Sequence, residues 1–347
     1  YHSDLDECLG GVLNIEDSFG EDHGCLIEQC SVGSSYSGDS IQFRGDAANK
    51  ETASDVVGTV GVIIRKCHIH HAAENCIDFK AAGRVLVENN MLYGNIGSDD
   101  GPSHGWNHGS HHMISCGKAW RVEHVIIRNN ILMDGAGGIE ISGDDYYMYH
   151  NTFVNNNRDY RGPNQQDWGQ DKPQLAATEQ NSKRDGSRFK NNIAMSHNEA
   201  EVTFYLAGSD LHIDGNCYYN TGSVVLGEWT SSQNWTRRNF NDWKSRLRQL
   251  SNVKLDDANS MASDPRFSDD GNGKPTGSPS DFELWPGAGS PCLDAAVELT
   301  QTTSSGNSKQ ITVEDAKYFT EGFGVSSHVE IVTINGREYT VDSIDYK

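Results

Sequence analysis

Apolar and polar positions follow one short pattern that returns along the chain. An alternating apolar run leads into two polar residues, the second of them Asn, and another apolar run follows. The copies with Asn are 85–92, 125–132, 148–154, 189–195 and 212–219, and two earlier copies, 26–32 and 63–69, carry Cys at the second position. Such recurrence is typical of a repeat architecture.

The spacing of the copies predicts stacked turns. Successive steps between the marked positions are 37, 23, 40, 21, 41 and 24 residues, the positions being Cys30, Cys67, Asn90, Asn130, Asn151, Asn192 and Asn216. The short steps equal one turn of a β-solenoid, and the long steps equal two turns, or one turn with a long loop. We expect the Asn residues to form a ladder at a corner, since Asn tolerates left-handed backbone and hydrogen-bonds turns.

A second alternating phrase lies between the first ones, at 40–45, 76–81, 113–118, 138–143, 203–208 and 224–228. Short alternating runs bounded by Gly or polar residues predict half-buried strands. Two strand types within each turn predict an all-β fold of parallel sheets wound into a coil. Cys30 and Cys67 are expected as buried thiols, and a disulfide of Cys8, Cys25 or another pair stays open.

The last third of the chain has a different character. Trp243, Leu247 and Leu250 share one face of a helix predicted at about 239–252, with Asn239 or Asn241 as its cap. Asn335 and Gly336 stand between alternating runs and predict a two-residue hairpin. We expect a β-helix with its closing segment and capping helix over 1–300, and a small β element over 301–347 that closes or extends the C-terminal end.

Three motifs follow the predicted helix: Asp-Pro-Arg-Phe at 264–267, Asp-Phe-Glu-Leu at 281–284 and Gly-Ser-Pro-Cys-Leu-Asp-Ala at 289–295. With the repeats, they make 12–296 resemble secreted right-handed parallel β-helix proteins that act on carbohydrates. The resemblance implies a right-handed parallel β-helix in a secreted, periplasmic or cell-surface protein. Many members are polysaccharide lyases, and others are hydrolases or epimerases. No signal peptide is visible at Tyr1, so we expect any targeting segment to be absent from this chain.

Charge limits the partners. The net charge of −21 argues against nucleic-acid binding, which needs a basic surface. An anionic substrate requires a local basic patch or a bound cation to offset this charge. No apolar run reaches the length of a membrane span. We expect a monomer that binds a polysaccharide, with no nucleic acid and no membrane insertion.

Alternation in the second phrase predicts which side chains leave the core. It places Ile41, Phe43, Ile77, Phe79, Ile139 and Ile141 inside. Its outward positions, joined by residues of the neighbouring turn, are Gln42, Arg44, Asp78, Lys80, Ser115, Glu140, His111, His112, Asp99 and Asp100. Two long polar segments, 95–112 and 155–186, interrupt the turns and suggest functional loops. Their candidate substrate-binding residues are Trp106, His108, Arg158 and Trp168, which join Asp78 and Glu140 in that role.

This mixture of charges suits β-elimination on a uronic-acid glycan. A base removes the proton next to the carboxylate, whose charge must be neutralised. We expect Lys80 to be the base, with a pKa lowered by neighbouring cations, and Arg44 to neutralise the substrate. His111 and His112 are further catalytic candidates. Asp99 and Asp100, with Asp78 or Glu140, offer oxygen ligands for Ca²⁺.

Residues 73–101 also resemble a segment of calcium-dependent pectate lyases, in which a run ending in Lys precedes an Asp-Asp-Gly-x-Asp cluster. Lys80 matches that Lys, and Asp99, Asp100 and Gly101 match the start of the cluster, whose third Asp is replaced by Ser103. The resemblance implies a base at Lys80 and calcium at the Asp pair.

Other interpretations stay open. Lys80 can be a solvated surface charge and Asp99-Asp100-Gly101 a simple turn. His104, His108, His111 and His112 can bind a transition metal, and the Trp residues can fill loop cores. Alternative functions are a glycoside hydrolase or a uronate epimerase on the same scaffold, or a non-catalytic adhesion protein.

Overall fold

The computed structural model describes the chain in twenty-two segments. They are residues 4–5, 13–16, 24–35, 38–44, 59–80, 82–95, 112–116, 122–135, 137–141, 144–156, 175–177, 186–196, 202–205, 210–220, 226–231, 234–251, 253–269, 283–286, 289–303, 309–325, 328–334 and 336–346.

Strands dominate these segments and form three large sheets. In chain order the strands of the three sheets are β1 Asp4–Leu5, β2 Leu13–Glu16, β3 Cys25–Glu28, β4 Ser31–Ser35, β5 Ile41–Arg44, β6 Thr59–Arg65, β7 His68–Ala72, β8 Ile77–Phe79, β9 Ala82–Glu88, β10 Met91–Tyr93, β11 Ile114–Cys116, β12 Val122–Arg128, β13 Ile131–Met133, β14 Ile139–Ile141, β15 Asp144–Tyr149, β16 Thr152–Val154, β17 Leu175–Ala177, β18 Arg188–Lys190, β19 Ile193–Ser196, β20 Val202–Tyr205, β21 Leu211–Asp214, β22 Cys217–Asn220, β23 Leu226–Ser231, β24 Asn234–Arg238, β25 Val253–Asp256 and β26 Met261–Ala262.

The chain visits the three sheets in turn, as β7, β8 and β9 show. The first sheet has the order β1-β4-β7-β10-β13-β16-β19-β22-β26, the second β2-β5-β8-β11-β14-β17-β20-β23-β24, and the third β25-β21-β18-β15-β12-β9-β6-β3. Neighbours pair in parallel, except that β24 is antiparallel to β23. Ser31 pairs with His68 and Met91 with Ile131. The long sequence steps are therefore single turns with long connections, and the fold is all-β with parallel sheets.

A ladder of amides joins the turns at one corner, as predicted. The Nδ2 of Asn90 donates to Asn130 Oδ1 at 3.0 Å and to the carbonyl of Ile64 at 2.9 Å. Asn130, Asn151 and Asn192 repeat this arrangement with the next Asn in the row. The ladder ends where the N–H of Asn216 donates to Ser260 Oγ. Each buried amide therefore satisfies backbone and side-chain groups of the turns beside it.

The left-handed residue of each corner is not the ladder Asn, and that part of the prediction was wrong. Positive φ angles fall one residue earlier, at Gln29, Lys66, Asn89, Asn129, His150, Asn191 and Gly215. Asn89 and Asn129 are exposed. The turn therefore divides the two tasks, since one residue adopts the left-handed conformation and the buried Asn that follows it supplies the hydrogen bonds.

The cysteine prediction is confirmed for the ladder positions. Cys30 and Cys67 are buried with 4% and 0% exposure, and their thiols donate to the carbonyls of Glu28 and Arg65. The seven cysteines within the described segments are all free thiols, and Cys8 lies outside those segments.

One α-helix lies within the described segments, α1 at Phe240–Leu247. It is shorter than predicted, and Asn239 is its cap, accepting from the N–H of Asp242 at 3.0 Å. Trp243 and Leu247 are buried in the core of the stack. The indole of Trp243 donates to Asp257 at 2.7 Å, which fixes the helix on the last turns.

The C-terminal region holds two hairpins, and the one predicted at Asn335-Gly336 is confirmed. The hairpins pair β27 Phe267–Asp269 with β28 Glu283–Pro286, and β29 Ile331–Ile334 with β30 Arg337–Thr340. A short 3-10 helix spans Ala316–Tyr318. Within the described segments, no helix has the length and apolar character needed to cross a membrane.

Within the described segments, residues of the tail pack on the side of the stack, whereas the sequence predicted a tail at its C-terminal end. Tyr318, Phe323 and Val325 pack on the outer face of the third sheet, against Ile63, Leu86, Ile126, Tyr147 and Tyr149. The inner face of the same sheet packs into the core through Val62, Val85 and Val125, among others. The third sheet is therefore buried on both faces, which explains its near-continuous apolar strands.

A buried ion cluster fastens the tail to the third sheet. Arg128 donates to both carboxylate oxygens of Glu330, each at 2.8 Å, and to Glu88 at 2.9 Å. All three residues are at most 9% exposed. Loss of Arg128 would leave two buried carboxylates without a cation, which strongly destabilises a folded protein.

We predict that Asn130→Ala lowers the free energy of unfolding by about 3–5 kcal/mol, because it removes the acceptor of two Asn90 donors and the donor to Val87. Urea titration measures the change. The matched control is Asn129→Gly at the neighbouring exposed left-handed position, which we expect to cost under about 0.5 kcal/mol. Equal costs would contradict the ladder assignment.

We predict that Arg128→Leu lowers the free energy of unfolding by about 3–5 kcal/mol, since it leaves Glu88 and Glu330 buried without their cation. Denaturant unfolding of this variant is compared with Arg337→Leu, which changes an exposed Arg of the tail hairpin. A cost no larger than that of the control would show that the tail does not depend on this cluster.

Candidate functional site

A row of polar side chains crosses the second sheet in register. The backbone pairs Gln42 with Asp78, Asp78 with Ser115 and Ser115 with Glu140. The flanking residues of each strand point into the core, where Ile41, Phe43, Ile77, Phe79, Ile114, Ile139 and Ile141 are at most 2% exposed. The predicted alternation is confirmed. We call Gln42, Asp78, Ser115 and Glu140 the polar row.

The polar row is buried, whereas the sequence predicted an outward-facing surface. Gln42, Asp78, Ser115 and Glu140 are 7%, 3%, 7% and 5% exposed. Burial is tolerable because the charged members have partners, which compensates for the loss of water. The Nε2 of Gln42 donates to Asp78 at 3.2 Å and also to Asp39.

Lys80 directly follows strand β8, and its side chain points back toward Asp78 of the polar row. Its Nζ lies 2.9 Å from Asp78 Oδ2. Burial lowers the pKa of Lys80, but the carboxylates of Asp78, Asp39 and Glu74 outweigh burial and leave that pKa raised. The expectation that neighbouring cations lower the pKa of Lys80 was wrong, because its charged neighbours in the described segments are acids. Lys80 is thus a cation at neutral pH rather than a free amine.

His112 lies at the other side of the row. Its Nδ1 is 3.2 Å from Glu140 Oε2, and both side chains are almost fully buried. The backbone of His112 is fixed from both directions, since its N–H donates to Asn75 Oδ1 at 3.0 Å and its carbonyl accepts from Asn95 at 2.8 Å. The 3.2 Å separation brings the carboxylate and the imidazole into electrostatic contact, although these two atoms do not form a hydrogen bond.

Asp39 belongs to the site and was not among the predicted residues. Asp39 lies two residues before β5, just as Asn75 lies two residues before β8 and His112 two residues before β11. The three residues therefore occupy equivalent positions in successive turns. Asp39 Oδ1 accepts from the N–H of Asn75 at 3.1 Å and from its Nδ2 at 2.8 Å. The signal was the alignment of Asp39-Ser-Ile-Gln-Phe with Asn75-Cys-Ile-Asp-Phe, which places one polar residue two positions before each strand.

The environment of Asp39 changes its protonation. Burial, followed by the charges of Asp78 and Glu74, raises the pKa of Asp39 to about 7, despite the hydrogen bond from Asn75 and the charge of Lys80. A carboxyl group that titrates near neutral pH beside an acid paired with Lys80 is a candidate for proton transfer.

Several predicted residues cannot be placed in this geometry. Arg44 pairs with Glu16 through the backbone of β5 and β2, but its side chain lies outside the description. His111, Trp106, His108, Arg158, Trp168, Asp99 and Asp100 fall outside the described segments. The structure thus brings together Asp78, Lys80, His112 and Glu140 of the predicted set.

Calcium binding at Asp99 and Asp100 stays a prediction, because both residues lie outside the described segments. The described residues contain no group of three acidic, His or Cys side chains with the arrangement of a metal centre. Amide and ammonium donors from Gln42 and Lys80 face the carboxylates of Asp39 and Asp78.

Comparison with known proteins adds no identity to this geometry. No protein-family model matches the chain, and no curated protein matches its sequence.

We predict that the stability of the protein carries a pH-dependent contribution from Asp39. Its pKa is higher in the folded chain than in the unfolded chain, so the folded state holds the proton more tightly. Stability from this group is therefore present below about pH 4 and is lost as the pH rises through about 7. We expect the free energy of unfolding of Asp39→Asn, measured by urea titration, to rise by about 2–4 kcal/mol relative to that of the wild type as the pH is raised from about 4 to above about 7.

The control for this titration is Asp342→Asn, at an exposed position of the tail. Its difference from wild type should stay constant over the same pH range. A constant difference for Asp39→Asn as well would contradict the raised pKa.

Proposed function

We propose that this chain is a right-handed parallel β-helix enzyme that cleaves an acidic, uronic-acid-containing polysaccharide by β-elimination. Three features support the coil: the cyclic visit to three sheets, the parallel pairing of consecutive turns, and the amide ladder at one corner. The sequence resemblance to secreted carbohydrate-active proteins supports the substrate class. We also propose that the protein is secreted and monomeric, and that it binds a polysaccharide and no nucleic acid.

The observation that carries the activity is the pair of ion contacts on the polar row. Lys80 with Asp78 and His112 with Glu140 lie on either side of Ser115. Two strand spacings, roughly 10 Å, separate the backbones of Asp78 and Glu140, and the strand of Ser115 lies between them. One contact supplies a cation and the other an imidazole beside a carboxylate.

These groups divide the work of β-elimination. Lys80 binds the carboxylate of the uronate and stabilises the negative charge that develops there. His112, whose imidazole lies beside the carboxylate of Glu140, removes the proton next to the carboxylate of the uronate. The electrons of the broken C–H bond form a carbon–carbon double bond, the bond to the glycosidic oxygen breaks, and that oxygen takes up a proton. Because the polar row is buried, this face of the second sheet opens when the glycan binds.

The role of Lys80 therefore differs from the base expected from the sequence. A lysine held by Asp78 keeps its proton and suits charge neutralisation better than proton removal. An anionic substrate requires a cation to offset the net charge of −21. Lys80 can take that role where the substrate carboxylate replaces Asp78 as its partner.

A glycoside hydrolase is the second candidate, and a specific contact favours it. Asp39 and Asp78 both accept from the amide of Gln42. The raised pKa of Asp39, about 7, suits a general acid. A uronate epimerase shares the proton-removal step but leaves the polymer intact, and an adhesion protein turns over nothing.

We predict that wild-type protein incubated with uronic-acid polymers produces ultraviolet absorbance from the unsaturated uronate. Lys80→Gln and His112→Gln should each reduce kcat/KM by about 100-fold or more, because each removes a group that acts on the developing charge or on the proton. The control is Lys66→Gln, which alters an exposed lysine paired with Glu28 on the third sheet, and which should leave the rate unchanged.

The products decide between the candidates. New reducing ends without ultraviolet absorbance, lost in Asp39→Asn, would replace the lyase by a hydrolase. An epimerised polymer of unchanged length would indicate the epimerase. Full activity of both Lys80→Gln and His112→Gln would exclude this site.

A further inference from the structure

Two cysteines from distant parts of the chain meet at one cavity on the first sheet. Cys217 begins β22, and Cys292 lies 75 residues later in the closing segment that follows the β27–β28 hairpin. Both line a cavity of about 210 Å³, together with Thr152, Ile193 and Met261. This cavity lies on a different sheet from the polar row.

The two thiols line the same cavity and each influences the ionisation of the other. The Sγ of Cys217 also lies 3.2 Å from the carbonyl of Ser263, and the N–H of Cys292 donates to Ser290 Oγ at 3.1 Å. Ser290 Oγ in turn donates to the carbonyl of Pro265 at 2.6 Å. These hydrogen bonds hold the backbone in place on both sides of the cavity.

The two thiols differ in reactivity. Cys217 is buried with 3% exposure, and Cys292 is half-buried. The neighbouring Cys217 thiol lowers the pKa of Cys292 despite burial. By contrast, burial raises the pKa of Cys25 and that of Cys67, each to about 11. Cys292 is therefore the better nucleophile, because Cys292 and burial both raise the pKa of Cys217. Cys217 is the resolving thiol, since the contribution of a Cys292 thiol to its raised pKa is removed once Cys292 is part of a mixed disulfide.

We propose that Cys217 and Cys292 form a redox-active pair that closes to an intramolecular disulfide and so fastens the closing segment to the last turns of the stack. The oxidant is a low-molecular-weight disulfide. The Cys292 thiolate attacks one of its sulfurs, a mixed disulfide forms and one small thiol leaves. The Cys217 thiolate then attacks Cys292 Sγ and releases the second small thiol, so that two electrons pass from the protein to the oxidant.

The disulfide would close a loop of 75 residues that contains α1 and both strands of the β27–β28 hairpin. A link across a loop of this length restricts the unfolded chain strongly. It would also fix the segment 289–294 at the end of the stack, where the strands of the first sheet run out at β26. This inference does not depend on the proposed enzymatic activity.

The test treats intact wild-type protein with oxidised glutathione or with a reductant, blocks free thiols by alkylation and maps the peptides by mass spectrometry. We expect the Cys217 and Cys292 peptides to be joined in the oxidised sample. The melting temperature of oxidised protein should exceed that of reduced protein by about 5–10 °C. Cys292→Ser should abolish this difference, and Cys25→Ser, which alters a half-buried thiol in β3, should keep it.

Recovery of both Cys217 and Cys292 as alkylated free thiols after oxidation would overturn the proposal, and so would a link of either one to a different cysteine. The wild-type peptide map decides the matter even if Cys292→Ser fails to fold. A stable mixed disulfide of glutathione on Cys292, without closure by Cys217, would also contradict it.

Discussion

The hydrogen bond between stacked asparagine side chains is the constraint on which this structure depends. Each ladder amide accepts from the backbone and side chain of the turn before it and donates to a strand carbonyl. An unsatisfied buried amide would cost about 1–3 kcal/mol per group, so a turn that slips by one residue loses the row at once. The ladder therefore sets the register of all three sheets, and with it the alignment of Gln42, Asp78, Ser115 and Glu140.

Residues beside the polar row also form hydrogen bonds from turn to turn, and such bonds can serve the fold as well as a reaction. Asp39, Asn75 and His112 occupy equivalent corner positions, and their contacts resemble a second, shorter ladder. Two properties go beyond what a ladder needs. Asp39 carries a proton near neutral pH, and His112 faces a carboxylate rather than another amide. Burial creates both properties by strengthening charge interactions at low dielectric.

Much of the fold could be predicted from the sequence, because period and alternation are local signals. The steps between Cys30, Cys67 and the Asn residues gave the turns, and Asn335-Gly336 gave the last hairpin. The position of the left-handed residue was misjudged since Asn89 and Asn90 suit that conformation equally well; only burial separates them. The place of the tail was missed because its anchor joins Arg128 to Glu330, 202 residues apart, and no local pattern encodes such a contact.

The site was harder to predict for a related reason. Alternation identified Asp78, Lys80 and Glu140 as neighbours on one face, but a pKa depends on every charge nearby. Burial lowers the pKa of Lys80, but Asp78, joined by Asp39 and Glu74 from preceding corners, outweighs burial and keeps Lys80 a cation instead of the expected free amine.

Hydrogen–deuterium exchange at the corner amides tests the central claim most directly. In wild-type protein, the backbone N–H groups of Cys67, Asn90, Asn130, Asn151 and Asn192 donate to the side chain of the next ladder residue. The account predicts that they exchange as slowly as amides within the strands. Exchange at the rate of an unstructured peptide at these corners would contradict the ladder and the register built upon it.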